Sequence, residues 1–124
     1  MFTFVPHFKS LQEVLTNHKL AALGDAYVNF LYSLAISKKT GELAGAKVDS
    51  RLLAEALRKA GLREYLPSRT DRHKQADAAE ALIVYAWLKD LVSLEEGVSI
   101  LERHENSVEG FCNLLVSAKK KLNL

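Results

Sequence analysis

Residues 70–92 read TDRHKQADAAEALIVYAWLKDLV, and every residue from Ala81 to Leu88 is apolar. A run of that kind suits a helix packed on all sides rather than one lying on a surface. Two acids stand just before it. Asp77 and Glu80 are spaced i, i+3, so a helix sets both carboxylates on one face, with His73 one turn earlier on the same side. Acids at the entrance of a buried helix are costly unless they are paired, solvated or hold a metal.

A second stretch repeats the pattern. Residues 20–36, LAALGDAYVNFLYSLAI, form a strongly apolar segment with one acid inside it, Asp25, preceded by Gly24. Glycine inside a helix costs roughly 1 kcal/mol relative to alanine, so close helix packing is the expected reason for it. Two apolar helices with embedded acids predict a buried cleft where Asp25, Asp77 and Glu80 converge.

The remaining chain reads as helices joined by short turns. Pro6 to Leu15 carries Phe8, Leu11, Val14 and Leu15 at helical spacing. Thr16 or Asn17 caps the next helix, from His18 to about Ser37, and Lys38-Lys39-Thr40-Gly41 supplies a basic end and a left-handed stop. On that helix His18, Ala21, Ala22, Asp25 and Asn29 share a face. After a turn from Glu42 to Lys47, Asp49 or Ser50 caps RLLAEALRKAG, which Gly61 ends. A short turn at 63–68 leads to Thr70 or Asp71, the cap of the central helix. Ser93 opens LEEGVSILERH with Glu96 as its capping-box partner, and VEGFCNLLVSAKKKL closes the chain. No stretch alternates with period two. The pattern predicts an all-α fold of six or seven helices, one domain over 1–124.

Composition sets outer bounds. With 48% hydrophobic and 26% charged residues, the chain resembles an ordinary globular domain. A lone cysteine, Cys112, excludes an internal disulfide framework and a multi-cysteine zinc site, and its apolar neighbours predict a buried small hydrophobe. The first residues lack the pattern of a signal peptide, and no segment reads as long and apolar enough to span a bilayer, so a cytoplasmic location without membrane contact is expected. A net charge of +2 offers no support for a large nucleic-acid face but leaves local basic clusters, including Arg69, Arg72 and Lys74.

Three segments in order then point to a family. Asn17-His18-Lys19-Leu20-Ala21-Ala22-Leu23-Gly24-Asp25-Ala26 resembles the signature helix of the ribonuclease III family, usually N-E-R-L-E-F-L-G-D-A. Asp77-Ala78-Ala79-Glu80-Ala81-Leu82-Ile83 resembles its second motif, D-x-x-E-A-L-I/L-G, and Gly41-Glu42-Leu43 is similar to the intervening E-G-E-L segment. The resemblance spans roughly 16–91. It implies an all-helical endonuclease domain, without the separate double-stranded-RNA-binding domain of many members, acting as a homodimer on double-stranded or structured RNA. It implies Mg²⁺, with Mn²⁺ as a substitute, held by Asp25 and Glu80 with Asp77 beside them. Lys19, Lys38, Lys39, Arg72 and Lys74 are the expected phosphate contacts, and an RNA-binding protein partner would add affinity.

The chain departs from the family pattern at Ala21 and His18, where the signature helix carries glutamates, and at Thr40, where an acid precedes G-E-L. Short standalone relatives also lack the first of these. The departures keep a second expectation open, a catalytically silent RNA-binding or ribonucleoprotein module with the same fold. A helical adaptor that binds only protein is the third, and it leaves the acids unexplained. The plainest alternatives for the acids themselves are helix-start electrostatics for Asp77 and Glu80, and an ion pair for Asp25.

Overall fold

The computed structural model describes residues 2–124. Among the described residues there are six α-helices, one 3-10 turn and no strand: α1 (Leu11–Leu15), α2 (His18–Thr40), α3 (Ser50–Lys59), the turn Arg63–Tyr65, α4 (Arg72–Leu88), α5 (Leu94–Arg103) and α6 (Ser107–Leu122). The all-α expectation holds.

Most boundaries fall where short polar side chains satisfy the first free N–H groups. Asn17 Oδ1 accepts from the Leu20 amide at 2.9 Å, Asp71 Oδ1 from Lys74 at 2.9 Å, and Ser93 Oγ from Glu96 at 3.0 Å. Asp49 caps α3, and Asn106 caps α6. At the other end of α2, Gly41 adopts the left-handed conformation at φ 78°, where a side chain would be strained.

α4 is the axle. Ala78 to Ala86 are all buried, with α2, α3, α6 and α1 packed around them. The α2–α4 pair makes the most extensive contact in the molecule, and Gly24 is the reason it is so close. A Cβ built there would collide with the backbone carbonyl of Glu80. α5 also packs on the buried face of α2, where Gly97 accommodates Leu31, and α6 closes the core with Phe111, Leu114 and Leu115.

Three expectations need correction. α1 begins at Leu11, with Ser10 as its cap, rather than at Pro6. Residues 6–8 are extended because the Tyr85 hydroxyl donates to the Pro6 carbonyl and accepts the Phe8 amide, both at 3.2 Å. Cys112 is only half-buried. Finally, α2, at 23 residues, is long and apolar enough to cross a membrane by length and composition. It runs three residues past Ser37, and its apolar residues divide between two faces. Leu20, Ala21, Gly24, Val28, Leu31 and Ala35 face the core, whereas Leu23 and Phe30 are exposed.

Candidate active site

The acids meet where α2 and α4 touch. Among the described residues Glu80 is one of two buried polar side chains, 7% exposed, beside the Gly24 contact. Its carboxyl is pushed up to about 8, first by burial, then by a hydrogen bond to Asp25 and by the charges of Asp25 and Asp77, with Lys47 opposing them. Two carboxyl groups in hydrogen-bond contact must share a proton or a cation. Asp77 stands at the rim. Partial burial raises its carboxyl, Asp25 and Asp71 raise it further, and His18 and His73 work against them.

These surroundings remove the plainer explanations. α4 starts at Arg72, so Asp77 and Glu80 lie beyond its first turn, where Asp71 already serves the helix dipole. Asp25 has no basic partner among the described ion pairs. Its oxygens face Asn29, whose Nδ2 donates to the Asp25 carbonyl at 2.8 Å and to Oδ1 at 3.3 Å.

Sequence reasoning did not reach Lys47. Its position is set by residues 44–48, an extended strap lying along α2. Asn29 Oδ1 accepts the Val48 amide at 2.8 Å, Ser33 Oγ the Ala46 amide at 2.9 Å, and Ser37 Oγ the Ala44 amide at 2.9 Å. Polar residues every four positions along an otherwise apolar helix were the available signal. Asn29 thereby joins the strap that carries Lys47 to the acid that neighbours Glu80.

The predicted phosphate contacts separate into groups. Lys74 lies one turn before Asp77 and lines the same cavity, whereas Arg72, five residues before Asp77, is turned about 140° from it round α4 and its charge acts on Asp49. Lys19 is near the N-terminus of α2, against Phe4 and Leu23. Lys38 and Lys39 sit at the opposite end of α2, about 20 Å along the axis from Asp25 by helical rise. There Lys38 pairs with Glu102 at 3.3 Å, and Lys39 Nζ donates to the His104 carbonyl at 2.6 Å. The structure does not bring these two to the acids.

Among the described residues, no set of three or more His, Cys, Asp or Glu side chains is gathered as a ready metal centre. The donor chemistry nonetheless suits Mg²⁺, a hard cation that takes oxygen ligands, retains waters and is commonly held by one or two carboxylates together with substrate phosphate. A carboxyl held near 8 by burial first and by a neighbouring carboxyl second is a place where a cation relieves repulsion.

Comparison with known proteins agrees with this geometry. The Ribonuclease III family model matches residues 18–121, from the first residue of α2 almost to the end of α6. The chain belongs to that family, and carries its nuclease-type, RNA-processing role at the level of the family. No curated protein sequence matches it.

Proposed function

We propose that the chain is a divalent-metal-dependent endoribonuclease that hydrolyses phosphodiester bonds of double-stranded or structured RNA and acts as a homodimer. The observation that carries the reading is the Glu80 carboxyl, buried against Asp25 at the closest approach of α2 and α4. A family of RNA-processing nucleases supplies the reaction class. Asp25 and Glu80 would hold Mg²⁺ or Mn²⁺, with Asp77 beside them at the rim of the site.

When bound, the ion supplies a nucleophilic water and charge stabilisation on the phosphate oxygens. The chain's own residues do the rest. Burial and Asp25 favour the protonated form of Glu80, so a cation held there would compete with that proton and bind better as pH rises. Asn29 fixes the Asp25 carboxylate, and Lys47 limits the repulsion between the acids. Lys74 meets a backbone phosphate beside Asp77, and Arg72 offers a second phosphate contact further round α4.

The homodimer follows from apolar surface left outside the core. Leu23, Tyr27 and Phe30 recur at i, i+4, i+7 on α2, with Leu23 44% and Phe30 54% exposed. Tyr27 stacks on Trp87 with centroids 4.9 Å apart, and Phe2 and Phe4 extend the aromatic surface. Contiguous apolar surface of this kind marks an interface, and an isologous pairing is the commonest way to cover it.

Incubation of a long labelled RNA duplex with Mg²⁺ or Mn²⁺, against an EDTA control, tests the reading. Metal-dependent fragments that disappear in Asp25→Asn and Glu80→Gln are expected, at low salt because net charge is small. Mg²⁺ should also raise the melting temperature of the wild type and not that of Asp25→Asn. The competing reading, a silent RNA-binding module, is favoured by Ala21 and Thr40 in place of family acids, and would give a shifted RNA band without cleavage.

A further inference from the structure

A cavity of about 240 Å³ opens beside the acids, between the start of α2, the start of α4 and the segment that precedes α4. Its floor is apolar: Leu15, Ala21 and Leu66 are buried there, and Pro67 forms one wall. His18, Arg69 and Lys74 stand around the mouth, and Asp77 closes the side next to Glu80. None of the three basic side chains makes a hydrogen bond or ion pair among the described residues. Asn17 uses its oxygen to cap α2, which leaves its amide N–H groups to donate into the cavity.

We infer that this cavity receives one unpaired nucleotide of the RNA, with the base on the apolar floor and the phosphate against Arg69 and Lys74. The inference rests on the reading of the neighbouring acids as a cleavage site. Three features select this occupant. The space lies below the usual 300–1,000 Å³ of a drug-sized site, and so suits a single ring system. Its rim is predominantly basic, complementary to a phosphate. An arginine plane and an amide donor over an apolar floor match the way splayed bases are bound, by stacking and by hydrogen bonds to their edges. A-form duplex keeps its bases stacked and cannot fill such a site, whereas a bulge or loop can. The structured RNA cut by this chain therefore carries an unpaired nucleotide next to the scissile bond. Ala21 is the residue that keeps the floor open, because a longer side chain there would project into the space.

Binding in EDTA separates this inference from catalysis. Two labelled hairpins, identical except for one unpaired adenosine, are titrated with the whole chain. The bulged hairpin should bind about tenfold more tightly, the scale of one stacked base. Ala21→Leu, which fills the floor, and Arg69→Ala, at an exposed position tolerant of substitution, should each bring the two affinities within about twofold. Circular dichroism checks that both variants fold. Equal affinities in the wild type, or a preference that survives both substitutions, overturn the inference. Binding of free adenosine monophosphate without a preference between hairpins overturns it too, since the site then serves a mobile nucleotide. A bulge preference without metal-dependent cleavage would leave the pocket standing and sink only the nuclease reading.

Discussion

α2 and α4 are similar in apolar content and opposite in what they do with it. From Ala78 to Ala86, α4 has every side chain inside the core. α2 buries one face against α4 and α5 and leaves Leu23 and Phe30 in solvent. An apolar helix that is surrounded has its hydrophobicity explained by the core. One that is half-surrounded has surface left over for something else. The two helices also divide the chemistry: α4 contributes the buried acid, and α2 the exposed acid that meets it.

Forcing the helices apart should have the largest effect on stability. Gly24→Ala places a methyl group against the Glu80 carbonyl, a contact with backbone that cannot rotate away. A loss of about 3 kcal/mol is expected in urea unfolding, the upper end of overpacking effects. Ala26→Leu, on the exposed side of the same helix, should stay within about 0.5 kcal/mol. Equal effects of the two would refute the picture of one packed face and one free face.

The free face can be tested by charge. Phe30→Glu should weaken self-association at least about tenfold in sedimentation equilibrium, and leave the helical spectrum intact. A wild type that is monomeric at high concentration would assign the stripe to another partner.

Acidity sharpens the contrast further. The Glu80 carboxyl is held near 8, above its ordinary 4.5, so the folded chain binds this proton more tightly than the unfolded chain. Its stabilising contribution is complete below pH 4.5 and is lost as pH rises towards 8. Glu80→Gln should flatten stability across that window in urea unfolding. Mg²⁺ should raise the melting temperature more at pH 8.5 than at pH 6.5, because the proton competes with the cation. The smallest effect is expected for Lys47→Ala. Removing a cation that favours the charged form should move the pH midpoint of metal binding upward by a few tenths of a unit.

Much of this was legible from residues alone. Asn17, Asp71 and Ser93 announced helix starts, and Gly41 and Gly61 their ends, because capping is local chemistry. Gly24 signalled a close approach, and the spacing of Asp77 and Glu80 set both on one side of α4. What the sequence hid depends on contacts distant along the chain. Pro6 to Phe8 falls within helical spacing yet runs extended, since Tyr85, some eighty residues away, binds its backbone. Lys47 looked like part of a turn, because only the path of the strap brings it to Glu80. The cavity beside Asp77 needs Leu66 and Arg69 from a loop whose course has no periodic signal.

The strap along α2 has one further consequence, which is metrical. Asn29, Ser33 and Ser37 advance four residues at a time along the helix, while their partners Val48, Ala46 and Ala44 retreat two at a time. Four helical residues rise about 6.0 Å, and two extended residues span about 6.6 Å. The two rulers are nearly commensurate, so the teeth of one mesh with the other for three steps before the mismatch accumulates. Such a rack fixes the phase as well as the position of the segment. Shifting it by one residue would turn every side chain to the opposite side, Lys47 among them. The segment from Gly41 to Asp49 is therefore length-locked despite having no secondary structure of its own.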